Sequence, residues 1–477
     1  MPNRYQKTLK EVLKFIRPKP KEKKKLDFIV KKALTIAGKE AEKLKARAIL
    51  AGSITRDTWL PGKMEFDIFV LFPIILTEKR LEDFGLKIGK EVINQLKGTY
   101  KIEFAQHPYV SGEVEGVKLD IVPCFDVKDP EKIKSAVDRT PFHVKYIEKH
   151  LSPNLSDEVR LLKQLCAANK IYGADAKTEG FSGYVCELLI IKHGNFVNVM
   201  EAAKSWQPGH IIDIEGYYSD KDVSKLRKKF KDQVLILIDP TDKKRNATAA
   251  LSAQSFFKLK KMAKKFLEDA SGDVFFEKQI ELITENELVQ LQMKRRTELI
   301  LIKFKPPEVV PDILWPQLRR FAERLQNILE EVKYEFKVLR KGVYTNEKDL
   351  AVVLLEMEVS KLPRIQKRIG PRIFDFDDSQ RFIEKYKKNT LTGPFVEHGF
   401  WAVEVERKFL TAREKLGDSL NESLDVLNAK GVPNHIAVEI SKGFEIVLEN
   451  GEIMELVERD TGFGIFLRKY FEKEALI

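Results

Sequence analysis

The stretch GSITRDTWLPGKMEFDIFVLF, residues 52–72, decides how this chain is read. Its second half predicts a strand, because IFVLF is apolar on both faces, as in a strand covered from both sides in mid-sheet. Side chains alternate along a strand, so Glu65 and Asp67 share one face while Phe66 points to the other. Two carboxylates at the mouth of a buried strand need a partner, since unpaired buried charge is costly and close acids repel. Oxygen ligands in a cleft suit magnesium. The first half of the stretch supplies the complement. Gly52 lets the backbone turn closely, Ser53 is placed to cap the turn, and the N–H groups there form an anion site suited to a triphosphate. Arg56, one turn on, faces the same anion. Acids for a cation beside a turn for an anion predict nucleotidyl transfer.

Upstream, LDFIVKKALTIAGKEAEKLK (26–45) has helical periodicity, and ARAILAG (46–52) reads as a short strand ending at Gly52. Downstream, EKRLEDFGLKIGKEVINQLKG (78–98) is an amphipathic helix. Two extended runs follow, YKIEFAQ (100–106) and VKLDIVPCF (117–125), with HPYVSGEVEG (107–116) read as the turn between them on account of its glycines. The economical packing is a mostly β layer backed by helices. In VKLDIVPCF, Asp120 falls on the face opposite Leu119 and Ile121. If that strand pairs beside the first, Glu65, Asp67 and Asp120 meet at one point, a number of acids that can hold two metal ions for in-line phosphoryl transfer. Asp120 is then the candidate general base for the attacking hydroxyl.

From residue 153 the texture turns helical. In SPNLSDEVRLLKQLCAANKIYG (152–173), Ser156 is the expected N-cap, and Asp157 and Glu158 in the first turn complement the helix dipole. Lys163 falls just past the apolar margin of this helix, at a cleft edge. Tyr172 closes the helix, where its ring either stacks a base or covers the core. VLILIDP (234–240) is a short β-like run feeding the basic loop TDKKRN (241–246). Further on, DILWPQLRRFAERLQNILEEV (312–332) is an amphipathic helix, KYEFKVLRK (333–341) and LAVVLLEMEV (350–359) are paired strands, and FWAVEVERK (400–408) is another strand. This alternation is similar to a ferredoxin-like RNA-binding layer.

Lys and Arg outnumber Asp and Glu by 84 to 72 over 477 residues, a net charge of +12 that favours a polyanionic partner. The competing reading is a well-solvated surface of mixed charge. The basic and aromatic residues Arg319, Arg320, Arg340, Lys341, Arg364, Lys367, Arg368 and Arg372, with Tyr334, Phe336, Phe374 and Trp401, interleave as for contacts along an RNA stem, with most of these aromatics expected in the core. Cys124, Cys166 and Cys186 have no CxxC spacing and leave one unpaired, which fits a reducing compartment. The N-terminus has no apolar leader, and no run approaches eighteen apolar residues, so a cytoplasmic location is expected.

The blocks GSITRDTW and EFDIFVLF, HPYVSGEVEGVKLDIVPCF, SAVDRTPFH (135–143) and GFSGYVCELLI (180–190) resemble the archaeal class I CCA-adding enzymes, tRNA nucleotidyltransferases of the polymerase-β-like superfamily. The resemblance implies an α+β multidomain fold. Its parts are a polymerase-β-like nucleotidyltransferase palm over 1–152, a central helical nucleotide- and substrate-binding domain over 153–275, and a C-terminal ferredoxin-like, RNA-binding α+β region over 276–477. It implies template-independent addition and repair of CCA at the 3′ end of tRNA with CTP and ATP, releasing pyrophosphate, in a homodimer. By the same resemblance two magnesium ions bind Glu65, Asp67 and Asp120. Ser53 and Arg56 hold the triphosphate, and His143, Lys163 and Tyr172, with Thr140, His107 and Arg245, complete the nucleotide contacts. On its residues alone Arg245 is either a phosphate contact or solvated charge. Asp57 departs from the superfamily, where a small residue commonly follows the arginine, and this bears on the loop geometry. A poly(A) or oligoadenylate polymerase is the alternative enzyme, told apart by unlimited A addition. A non-catalytic RNA-binding protein has no use for clustered acids beside a polyanion.

Overall fold

In this computed structural model, which describes residues 3–104, 106–331, 334–388, 390–473 and 475, helices α1 (Asn3–Ile16) and α2 (Pro20–Glu42) precede the first sheet. That sheet contains β1 (Arg47–Ala51), β2 (Glu65–Phe72), β3 (Thr99–Phe104), β4 (Pro108–Val114) and β5 (Val117–Phe125), with α3 (Glu78–Gln95) following β2. Spatial order is β1-β2-β5-β4-β3, so β2 is an interior strand, as its two apolar faces require. Phe66, Ile68, Val70, Leu119, Ile121 and Phe125 join one core with α2 and α3. The other face carries Phe69, Leu71, Val122 and Cys124, which pack against Val144 of α4 (Thr140–His150).

The segment 107–116 is not a turn. Most of it is β4, paired antiparallel with both β3 and β5. Its Gly112 serves close packing, since a Cβ there would collide with Ile93 Cδ1 of α3. The turn is the pair Glu115 and Gly116, both at positive φ, which is the backbone a two-residue hairpin needs. The strand expected over 100–106 spans Thr99–Phe104; Ala105 lies outside the described residues.

The chain continues through α5 (Ser156–Ala168), α6 (Gly183–His193), α7 (Phe196–Ser205), β6 (His210–Ile212), α8 (Val223–Lys229), β7 (Leu235–Asp239), β8 (Asp242–Asn246) and α9 (Ala253–Asp269). Ser156 is not an N-cap. A 3₁₀ turn over Pro153–Leu155 runs straight into α5, so Ser156 is already helical, and its hydroxyl donates to the Arg56 carbonyl at 2.8 Å. Tyr172 stands beyond the end of α5, bridged to Phe181. The expected basic loop TDKKRN is mostly β8, an edge strand hydrogen-bonded to β7. Charged side chains on an exposed edge are the usual guard against stray pairing, which is why the run looks like a loop.

The chain divides into two compact units, one running to Lys278 and the other starting at Gln279. The second holds α10 (Glu285–Arg295), β9 (Glu298–Phe304), α11 (Pro311–Leu329), β10 (Lys337–Thr345), β11 (Ala351–Val359), β12 (Ile365–Arg372), α12 (Phe376–Tyr386), β13 (Thr392–Glu397), β14 (Phe400–Glu406), α13 (Ala412–Leu420), α14 (Leu424–Ala429), α15 (Asn434–Lys442), β15 (Glu445–Val447), α16 (Asn450–Arg459) and α17 (Thr461–Phe471). Its main sheet has the order β10-β11-β9-β15, antiparallel throughout. With α11 after β9 and helices before β15, this is the βαββαβ arrangement of a ferredoxin-like layer. A second sheet, β12-β14-β13, is inserted with α12 between β11 and α13. Val332 and Lys333, at the ends of the expected helix and strand, lie outside the described residues. Two members of the basic and aromatic set are tied inward, Phe336 as a core aromatic and Arg340 with 22% of its side chain still exposed. Arg340 Nε binds the fully buried Glu356 at 3.0 Å, as do Arg295, Thr297 and Tyr470, because a carboxylate inside a sheet needs several donors.

Candidate active site

The sheet register decides where the acids go. In the parallel pair β2 and β5, Asp67 stands directly opposite Asp120, and Glu65 is two residues along on the same face. Asp120 is in turn opposite Ser111 of β4. A cavity of about 930 Å³ opens on this face, within the range of small-molecule sites. Glu65, Asp67, Asp120, Ser53, Arg56, Thr140, His143, Lys163 and Tyr172 line it. His107 does not. Its ring is buried, with Nδ1 3.1 Å from Glu82 of α3 and an edge against Phe125, on the opposite, helix-backed side of the sheet. Arg245 is also outside the lining and reaches the wall through Asp239.

The acids repel. Burial, followed by the charges of Asp120 and Glu65, pushes the Asp67 carboxyl up to about 7, with Arg56 opposing. Burial likewise raises Asp120, while a hydrogen bond from Ser111 works against it and Glu103 and Glu65 reinforce it. Three oxygen donors whose anionic forms are unfavourable together are a set that a hard divalent cation relieves. Among the described residues no three such groups stand close enough to enclose an ion as they are.

The anion turn is built as a 3₁₀ turn over Ser53–Arg56, with Gly52 at its start, so Ser53 lies inside the turn and does not cap it. Asp57 closes the turn in the left-handed region, pinned by Lys23 at 2.6 Å and Arg160 at 2.7 Å. Gly52 has φ +85° and ψ −176°, a region open essentially only to glycine. A Cβ there would also sit 2.8 Å from Asp67 Oδ2. Gly52→Ala is expected to destabilise the chain by roughly 1–3 kcal/mol and to displace Asp67. The check is a thermal melt alongside nucleotide incorporation, both of which should fall together.

Lys163 is not at a cleft edge. It is 1% exposed and lines the cavity from within the core. Its Nζ donates to Thr58 Oγ1 at 2.9 Å and reaches Glu187 Oε1 at 3.3 Å. Glu187, 1% exposed on α6, also accepts from Arg56 Nη2 at 3.0 Å and Thr58 Oγ1 at 2.7 Å. Burial pulls Lys163 below its ordinary range, partly offset by Glu187. Burial works to raise Glu187, but the charges of Lys163 and Arg56 hold it below the usual carboxylate range. Two cations face one anion, and Arg56 Nε is buried without a hydrogen-bond partner. The cluster has positive charge and a donor to spare, which an incoming anion satisfies.

A second buried carboxylate, Asp239 at the end of β7, organises the opposite wall. It accepts from Tyr184 at 3.0 Å, Thr241 Oγ1 at 2.8 Å and Arg245 Nη1 at 2.6 Å, and lies 3.0 Å from His143 Nε2. Burial works to raise it, but His143, Thr241 and Arg245 hold it well below the carboxylate range. The His143 ring stacks on Tyr184 with centroids 4.0 Å apart. Neither Glu187 nor Asp239 was singled out from the sequence. The signal was present, since each is a lone acid in an apolar run, VCELLII and LILID.

Three family models match the chain in succession. They are a nucleotidyltransferase domain over residues 30–143, the second domain of tRNA nucleotidyltransferase over 157–276, and the C-terminal domain of CCA-adding enzyme over 295–449. The CCA-adding enzyme of Methanosarcina mazei is 35% identical over 96% of this chain and 97% of its own. That of Methanocaldococcus jannaschii is 39% identical over 80% of this chain and 84% of its own. Among solved structures, a cytoplasmic RNA terminal U-transferase aligns with a TM-score of 0.43 at 14% identity, covering 58% of this chain and 99% of that one.

Proposed function

This chain belongs to the CCA-adding enzymes, and we propose that Glu65, Asp67 and Asp120 carry its reaction on a nucleotide held by Ser53, Arg56, Lys163, Tyr172 and His143. The activity of the family is addition of CCA to the 3′ end of tRNA by nucleotidyl transfer. The observation that supports the site is the β2–β5 register, which sets Asp67 against Asp120 at the floor of a cavity walled by cations. In this reading the 3′-hydroxyl oxygen bonds to the α-phosphorus of CTP or ATP, the bond to the β-phosphate bridge breaks, and pyrophosphate leaves. Asp120 takes the hydroxyl proton, a role its raised carboxyl suits. Arg56 and Lys163 receive the triphosphate charge, and the turn at Ser53 offers it backbone N–H groups. Asp239 holds His143 and Tyr184 of the cavity wall in place and ties Arg245 to them from outside the lining. Glu65, Asp67 and Asp120 would hold the two magnesium ions, which would supply charge neutralisation and lower the pKa of the attacking hydroxyl.

The three-domain division at 152 and 275, a homodimer and a cytoplasmic location go with this reading. So does an RNA-contacting role for the second unit, where Arg364, Lys367 and Arg372 are exposed and Phe374 is 77% exposed. The test uses tRNA lacking its 3′ end, with CTP and ATP alone and together. Addition is expected to stop at three residues, to cease on chelation, and to rise with more than the first power of magnesium at limiting metal. First-power dependence throughout would reduce the site to one ion.

A further inference from the structure

A second, smaller cavity of about 140 Å³ lies wholly inside the second unit, and its chemistry is one-sided. Tyr334, Gln366, Arg368, Arg407, Lys408 and Phe409 line it, so the wall holds three cations, two aromatic rings and an amide, with no carboxylate. The rings of Tyr334 and Phe409 meet edge-on at 5.6 Å. A fourth cation, Lys415, only 7% exposed, places its Nζ 4.1 Å from the Tyr334 ring centre and 5.2 Å from that of Phe409.

Neutralisation is incomplete. Arg407 pairs through Nη2 with Glu335, yet its Nε is buried without a hydrogen-bond partner. Lys408 has Asp418 at 3.0 Å. Among the described residues, the acceptors of Arg368 are neutral, the Tyr386 hydroxyl at 3.2 Å and Gln366 at 3.4 Å. Four cations therefore face two carboxylates, and among the described residues the buried Arg407 Nε–H has no acceptor, a place that an acceptor held in the cavity fills. Volume narrows the choice. At about 30 Å³ per liquid water the cavity holds the equivalent of four or five waters, enough for one phosphate group but too little for a nucleoside triphosphate. Guanidinium groups match phosphate oxygens in a fork, and flanking aromatic faces accept a neighbouring base or ribose.

We propose that this cavity is a phosphodiester-binding site that grips one backbone phosphate of the RNA substrate, with Arg407 and Arg368 as the anchoring groups. It rests on the reading that the second unit contacts RNA, and the test separates the two. The full-length chain is titrated with tRNA lacking its CCA end between about 50 and 200 mM salt, with melting temperatures measured alongside. Arg407→Gln is expected to weaken binding and lower the slope of log K against log salt by about one, the share of one neutralised phosphate. Arg407→Lys, which keeps the charge but loses the fork, is expected to keep the slope while binding less tightly. Arg368→Gln should behave as Arg407→Gln, and the KM for CTP should not move in any variant. If wild-type binding falls with salt and Arg407→Gln matches it in affinity and slope, this site is refuted while the wider reading stands. If wild-type binding shows no salt dependence, the wider reading fails. If inorganic phosphate raises the melting temperature of wild type but not of Arg407→Gln, and tRNA binding is unchanged, the site takes a free anion and the RNA assignment is overturned.

Discussion

Asparagine in place of Asp67 is expected to reduce CCA addition by on the order of a thousandfold or more, the scale seen when a preorganised charge at the reacting centre is removed, while leaving the chain no less stable. The two outcomes separate because Asp67 is a functional liability in the fold. Its carboxyl is raised to about 7 by burial and by Asp120 and Glu65. An acid raised on folding lowers stability at pH values above its folded pKa, and the penalty fades as pH falls toward the unfolded value near 3.9. Asp67→Asn removes that penalty. At pH 8 without divalent ions the variant should therefore melt at or above the wild-type temperature, and the gap should close as pH is lowered through 7 toward 4. Added magnesium should raise the melting point of the wild type and not of the variant. Retained activity, or a loss of stability equal to that of a core mutation, would remove Asp67 from the site.

Removal of Glu187 carries the largest expected effect on stability. Glu187→Ala leaves Lys163 and Arg56 buried without their anion, and breaking such a cluster from one side costs about 3–5 kcal/mol. Glu187→Gln keeps an acceptor for the Thr58 hydroxyl and should lose less. Because Glu187 is held below the ordinary carboxylate range, its contribution is complete above about 4.3, the unfolded value, and is lost as pH falls through the lower folded value. The acid limb of a stability profile should therefore flatten in Glu187→Gln. In the folded fraction of either variant, the KM for CTP and ATP should rise more than kcat falls, since the two cations proposed to receive the triphosphate lose their common support. Melts with the stability of wild type in both variants would mean that the cations are solvated and unpaired in solution.

Much of this was legible in the linear chain because it is short-range. A period of two puts Glu65 and Asp67 on one face whatever the rest of the protein does, and an apolar run on both faces requires an interior strand. Gly52 before a turn, and a lone arginine after it, are equally local. Family likeness added His143, Thr140 and Tyr172, which line the cavity, and His107, which does not.

The remainder depended on segments far apart in sequence. Asp120 meets Asp67 because β5 pairs in parallel with β2, a register that only the crossover through α3, β3 and β4 sets. Helical periodicity put Lys163 at a margin, yet the helix carrying Glu187 packs over that margin and buries it, since an opposite charge makes burial tolerable. HPYVSGEVEG and TDKKRN looked like loops because glycine and lysine are common there, and became strands because a helix side chain fills the space at Gly112 and an edge position tolerates charge. The sequence by itself determined which residues have the chemistry for phosphoryl transfer and which local faces they occupy. Tertiary structure alone decided which of them meet, because side-chain direction is a local property of the backbone and strand order is not.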